Sequence, residues 1–241
     1  MTTTRLSPAV QAALTRPPER RGRSKALYAL DERRYLVRLL PTLDSFTYGR
    51  HEEVPGTAEL RLDFFERAVE RLGAAGFRTA FIERAGPDLY IAERCSDPPF
   101  EVIVKRFAHG STLRKYPGLF EEGHRFRTPV VTFDFRTDPE DQPIAPDYLR
   151  EYGDDPDELA MLARAAFEAL AAWLEPRVLV DICFVFGRDA LGRYRCTSEV
   201  SPDGMRLRAP DGTPLDKDLF RRGATHEAIR QAWRTLVESL S

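Results

Sequence analysis

Lysine is scarce in this chain. Of 36 basic residues only Lys25, Lys105, Lys115 and Lys217 are lysine, and the rest are arginine. Against that bias, each remaining lysine marks a place where a compact ammonium is wanted instead of a planar fork. Cysteine is scarce too: Cys95, Cys183 and Cys196 make neither a disulfide framework nor a zinc pattern. The four histidines, His51, His109, His124 and His226, show no ligand spacing. No apolar run approaches ~18 residues, which argues against a membrane-spanning helix. Neither a Walker-type loop nor a G-x-G-x-x-G fingerprint occurs, so the commonest nucleotide signatures are missing. A net charge of −2 gives no bulk attraction to nucleic acid or membrane. The N-terminal stretch lacks a hydrophobic signal core and carries basic residues over 16–23. A flexible segment over 1–21 and a cytoplasmic location are therefore expected.

At 241 residues the chain is long enough to bury a sizeable core. Short apolar runs between Gly, Pro and Asp turns predict strands at 35–40, 79–83, 88–92 and 100–104, with 27–34 as a hairpin partner of the first. Residues 58–75 have helical periodicity, with Leu60, Phe64, Ala68, Leu72 and Ala75 on one face and Gly76 at the stop. The stretch 113–153 reads as a long excursion holding one strand at 130–135. Asp155, Pro156 and Glu158 then predict the start of a helix. A hairpin is expected from 178–186 and 193–200, and Thr225 begins a last amphipathic helix.

Three stretches carry chemistry. One runs Ser198-Glu199-Val200-Ser201-Pro202-Asp203-Gly204-Met205-Arg206, then Leu215-Asp216-Lys217-Asp218-Leu219-Phe220-Arg221. Its Ser-Pro-Asp-Gly forms a tight turn, and an arginine on a stiff turn suits a phosphate or carboxylate. Another runs Pro99-Phe100-Glu101-Val102-Ile103-Val104-Lys105-Arg106-Phe107-Ala108-His109-Gly110-Ser111. The last is Gly22-Arg23-Ser24-Lys25. In order and spacing, over roughly residues 20–240, they resemble the SAICAR synthetase (phosphoribosylaminoimidazole-succinocarboxamide synthase) family, with its S-P-D-x-x-R, L-D-K-D-x-F-R, V-V-R-N-x-A-x-G-S and G-K-A/S-K motifs.

The resemblance implies an α+β fold of two lobes, 22–105 and 106–241, each with an antiparallel sheet and flanking helices, and a cleft between them. It implies C–N ligase chemistry joining a carboxylate of an imidazole ribonucleotide to aspartate, with ATP as activator and magnesium on the phosphates. Lys105, Ser111 and Arg206 fall on the family's substrate-phosphate positions. Asp181, Glu199, Asp203 and His109 are candidate catalytic residues, with Glu101, Lys217 and Asp138 as further candidates. Glu101 and Glu199 match family acids, each suited to orienting a motif arginine or to proton chemistry. On the ATP side the match fails. Alternation puts Asp181, Cys183 and Val185 on one strand face, where the family has Asp, Lys and Glu. Val185 and Ser198 stand where the family places metal carboxylates, so no metal ligands are expected. Lys25 and Arg23 are left for weak contact with ATP phosphates, and Mg-ATP stays open as a cofactor. In the excursion, Arg136-Thr137-Asp138 and Gln142-Pro143 keep one acid of the family's two, which removes support for aspartate as co-substrate.

The expected function is therefore a SAICAR-synthetase-like enzyme acting on a phosphoribosyl imidazole- or purine-type nucleotide. Its setting is specialised nucleoside biosynthesis of the coformycin or pentostatin kind, with altered or lost Mg-ATP chemistry. Two alternatives stand beside it: a genuine ATP-dependent SAICAR synthetase, and an inactive nucleotide-binding protein. The expected partner is a small-molecule nucleotide, with no nucleic acid or membrane; homo-oligomerisation stays open.

Overall fold

A computed structural model describes residues 6–137 and 140–240. Ser7 caps a short helix, α1 (Pro8–Leu14), by accepting the Val10 N–H. The chain then lays down β1 (Arg20–Arg21), β2 (Lys25–Ala29) and β3 (Arg34–Leu39). The hairpin partner of β3 thus lies earlier than 27–34, because the polar run at 31–33 forms the turn and Asp31 accepts the Arg33 N–H. A small hairpin, β4 (Thr42–Ser45) and β5 (Arg50–Glu53), leads into α2 (Thr57–Ala74). β6 (Phe81–Arg84) and β7 (Leu89–Glu93) complete a first sheet in the order β1-β2-β3-β7-β6.

β8 (Phe100–Phe107) opens the second sheet. It is followed by α3 (Ser111–Lys115), β9 (Arg125–Phe135), β10 (Gln142–Pro143), α4 (Pro146–Tyr152) and α5 (Pro156–Leu174). Then come β11 (Val178–Phe184), β12 (Phe186–Arg188), β13 (Tyr194–Cys196), β14 (Met205–Arg208), α6 (Asp218–Arg221) and α7 (His226–Glu238). The second sheet runs β10-β9-β8-β11-β14, all pairs antiparallel. β8 lies in this sheet along its whole length, so a lobe boundary after Lys105 falls inside a strand.

Two sequence expectations change. The stretch 113–153 is mostly regular structure: β9 pairs with β8 from Phe100↔Phe135 to Phe107↔Arg125. The exposed Arg125, Arg127 and Thr128 hide its strand pattern. The expected hairpin of 178–186 with 193–200 shrinks to β12 with β13. β11 instead sits between β8 and β14, and the chain turns at Val185, whose N–H bonds to Ser198 Oγ.

One core joins both sheets. Leu62, Phe64, Phe65, Ala68 and Leu72 of α2 pack with Tyr35 and Tyr90 of the first sheet and with the helix α5 that covers the second. Leu60 leaves this cluster to join Phe220, Ile229 and Trp233, and Ala75 is exposed. Asp155 caps α5 and Thr225 caps α7, each accepting backbone N–H groups of the first turn. Among the described residues no helix is long and apolar enough to cross a membrane.

Candidate active site

Three central strands of the second sheet build the charged floor of a cleft. Asp181 on β11 is the register partner of Lys105 on β8 and of Arg206 on β14. Side chains on adjacent strands at one level share a face, so the three form a row. Arg206 Nη1 donates to Asp181 Oδ2 at 2.6 Å, and Lys105 Nζ lies 3.7 Å from the same oxygen. Lys105 also donates to Ser111 Oγ at 3.2 Å. Gly110, at φ +56°, lies so close that a Cβ there would run into the Arg206 guanidinium. Lys105, Ser111 and Arg206 therefore converge, although they are far apart in sequence.

Lys105 and Asp181 are buried and Arg206 is partly buried, and the charges hold one another. Burial raises the Asp181 carboxyl, but Arg206 and then Lys105 outweigh it, keeping the group below the usual carboxylate range. Burial lowers the Lys105 ammonium, with Asp181 opposing. Burial also works against charged Arg206, yet Asp181 and Asp218 outweigh it and raise its pKa.

The floor belongs to a cavity of about 580 Å³. Glu199 and Asp203 line it as well. Glu199 is held by Arg61, whose Nε donates to Oε1 at 2.6 Å. Arg61 is fully buried on α2, and it also donates to the Leu40 carbonyl. Asp203 pairs with Lys217 at 3.0 Å and lies 3.9 Å from Arg61. Asp181 and Asp203 thus take different principal cations. Lys25 lines the cavity and donates to the Thr197 carbonyl, while Arg23 is half-exposed and pairs with Asp44. Glu101 accepts the Cys183 thiol at 2.9 Å, and the Arg136 charge also acts on it. The three cysteines are free thiols, and burial with the Glu101 charge pushes that of Cys183 well up. A protonated, hydrogen-bonded thiol is a poor nucleophile.

Two further cavities adjoin the first. One of about 450 Å³ shares Glu101, Ser111 and Arg206 with it and contains His109. His109 faces Glu122 at 3.3 Å there, away from Asp181 and Asp203. The other, of about 300 Å³, is mainly apolar and uses Leu27, Tyr35, Val37 and Tyr90 of the first sheet. It meets the first cavity at Lys25 and Val185. Asp138 lies outside the described residues. Sequence reasoning missed Arg61 and the apolar cavity. The signal for Arg61 was an arginine at the spacing of Phe65, Ala68 and Leu72 on an apolar helix face.

The positions that resemble the family's metal ligands do come together. Val185 N–H donates to Ser198 Oγ at 3.0 Å, and both residues line the main cavity. A hard divalent cation needs several oxygen ligands. Here one side chain is hydrocarbon, and the other oxygen already accepts a hydrogen bond. The remaining acids nearby are engaged: Glu199 by Arg61, Asp203 by Lys217, Asp44 by Arg23. Among the described residues no three His, Cys, Asp or Glu side chains are grouped to hold a metal ion. These residues do not fit a magnesium site of the family's kind.

Two antiparallel sheets with a common core and a charged cleft define an α+β enzyme class that builds its site from both sheets. The family follows from wider likeness. The SAICAR synthetase family model matches residues 19–237. The phosphoribosylaminoimidazole-succinocarboxamide synthase of Methanothermobacter thermautotrophicus is 34% identical over 182 residues, 72% of each chain. A solved structure described as SAICAR synthetase (Type-2) in complex with ADP superposes with a TM-score of 0.85 at 24% identity, covering 92% of this chain and 97% of that one. The SAICAR synthase of Saccharomyces cerevisiae complexed with SAICAR gives 0.79 at 18% identity, covering 99% and 97%. The chain belongs to the SAICAR synthetase family, a family of ligases.

Proposed function

We propose that this protein binds a phosphoribosyl imidazole- or purine-type nucleotide and processes it in specialised nucleoside biosynthesis, without a magnesium-bridged ATP step. One observation carries the reading: the same cavity keeps the Lys105–Asp181–Arg206 row and presents Val185 and Ser198 where metal carboxylates would stand. The phosphate enters between Lys105 and Arg206, which Asp181 keeps charged and aimed. Lys105 donates to Ser111 Oγ, which leaves the Ser111 hydroxyl proton for a phosphate oxygen. Asp181 is a positioning residue in this scheme.

A second reading has its own support. The apolar cavity beside Lys25 has room for a flat ring, which favours a genuine ATP-dependent SAICAR synthetase. One assay separates the two. With carboxyaminoimidazole ribonucleotide, aspartate and Mg-ATP, the first reading expects no ADP release above background. Turnover in the ordinary enzyme range of roughly 1–10³ s⁻¹ establishes the second. The cradle has its own test in calorimetry with ribose 5-phosphate: Arg206→Ala weakens binding by about 1.5–3 kcal/mol, the loss of a charge-assisted hydrogen bond. Unchanged binding removes Arg206 from the site.

A further inference from the structure

The main cavity and the apolar one meet at a neck. They share Gly22, Lys25, Arg136 and Val185. Two of these residues are cations, one is hydrocarbon and one has no side chain, so the neck carries positive charge and no acid of its own. A flat ring lying among Leu27, Tyr35, Val37 and Tyr90 can send a substituent through it into the main cavity.

Both cations have donors to spare. Lys25 forms no ion pair among the described residues, and its Nζ makes one long contact, 3.5 Å, to the Thr197 carbonyl. An ammonium has three donors. Arg136 commits one of its three nitrogens: Nη2 donates to Asp97 Oδ1 at 2.9 Å and to the Pro98 carbonyl. Its Nε is buried without a hydrogen-bond partner, which is costly for a donor in a folded chain. Asp97 is shared with Arg20 and neutralises Arg136 only in part. The Arg136 charge also acts on Glu101 and Asp141, with a hydrogen bond to neither among the described residues.

The misfit with magnesium falls at this same neck, because Val185 is one of its four residues. A divalent cation brought there meets like charge and a hydrocarbon wall. An anion meets an ammonium and a guanidinium, the two side-chain groups that neutralise phosphate oxygens best.

We propose that Lys25 and Arg136 form a metal-independent anion site at the neck, which takes the phosphate of a ligand whose flat ring lies in the apolar cavity. Two side-chain cations stand in for the magnesium that this chain does not fit. The site is distinct from the Lys105–Asp181–Arg206 cradle and shares with the function proposed above only the absence of a metal.

The test is calorimetry on the full chain in EDTA, with adenosine and adenosine 5′-diphosphate as probes and ribose 5-phosphate to read the cradle. The diphosphate should bind at least about tenfold tighter than adenosine, and excess magnesium should change its affinity by less than about twofold. Lys25→Gln and Arg136→Gln should each remove most of that preference, and Arg136→Lys should restore part of it. Lys25→Gln breaks no ion pair, so it decides the matter if Arg136→Gln does not fold. Equal binding of adenosine and the diphosphate in EDTA, or a preference that the variants leave intact, overturns the inference. A tenfold gain with magnesium overturns it too, and removes the metal-free part of the proposed function with it. Ribose 5-phosphate keeps the two sites apart. If it binds while the diphosphate has no advantage over adenosine, the cradle stands and the neck site falls. If it does not bind while the preference holds, the cradle falls and the neck site stands.

Discussion

β11 and its continuation serve two regions that differ in how they handle charge. At Asp181 the strand meets a cation on either side, and a buried acid is compensated twice over. Four residues later, at Val185, the strand offers no charged side chain, and its neighbour Ser198 accepts a backbone N–H with its hydroxyl oxygen. On the proposed reading, the first region exchanges one anion for another. The second is finished internally. Glu199 and Asp203, which line the same cavity, are held by Arg61 and Lys217. Acids at a cleft thus differ in kind, and the partner behind each one shows whether it is available to a ligand.

Arg61 gives the largest expected effect. It is fully buried and faces two carboxylates whose own side chains are 9% and 14% exposed. An exposed pair is worth about 0–1 kcal/mol, but stripping one partner from a buried pair costs about 3–5 kcal/mol. Arg61→Ala should lower stability by the larger amount in urea unfolding, and Arg61→Met with Glu199→Leu should recover part of it. A loss below about 1 kcal/mol would mean that Glu199 and Asp203 are solvated and free, which erases the contrast between the regions.

The convergence of Lys105, Ser111 and Arg206 was legible in the sequence because these residues sit in short motifs with fixed spacing. Lys105 and Ser111 share one loop and its strand, and Arg206 follows a Ser-Pro-Asp-Gly turn. The two-sheet architecture was legible through the same motifs. Contacts set by strand order were not. The Glu101–Cys183 bond joins residues far apart in the chain, and it exists because β11 runs beside β8 instead of folding back onto 193–200. The apolar cavity was hidden for a related reason: Leu27, Val37 and Tyr90 alternate as ordinary core residues do. Arg61 was visible as a charge on an apolar face, but only a partner from the opposite side of the cleft explains it.

Within the cradle, two acids behind Arg206 and Arg208 titrate in opposite senses. Asp216 is buried, accepts the N–H groups of Leu207 and Asp218, and pairs with Arg208. Burial, with Asp218 adding to it, pushes its carboxyl up to about 6. The folded state therefore binds more protons than the unfolded state between about pH 4 and 6. Its contribution to stability is full below that window and is lost as pH rises through it. The total is about 3 kcal/mol at most. Asp218 does the reverse. Burial raises it, but Arg206 and Arg221 outweigh that and hold it at about 2, so its contribution is lost as pH falls below about 4. Melting temperatures of the wild type and Asp216→Asn, measured from pH 4 to 7, should converge or cross as pH rises. Parallel curves would show that Asp216 carries no shift.

The smallest expected effect is also the most local. Gly110 has φ +56°, where an L side chain is strained, and the space its Cβ would need is filled by the Arg206 guanidinium. Gly110→Ala should therefore act twice. The backbone strain costs about 1 kcal/mol of stability. The clash tilts Arg206 away from Asp181, so ribose 5-phosphate binding should fall while the Val185–Ser198 side of the cavity is unaffected. Comparison with Gly118→Ala gives the control, because Gly118 has φ +78° but nothing within reach of an added Cβ. Both variants should lose the strain contribution, Gly110→Ala somewhat more because its Arg206–Asp181 pair is loosened, and only Gly110→Ala should lose phosphate affinity. If both bind ribose 5-phosphate equally well, the close packing of Gly110 on Arg206 does not shape the cradle, and the anion is held by Lys105 and Ser111 without a fixed guanidinium.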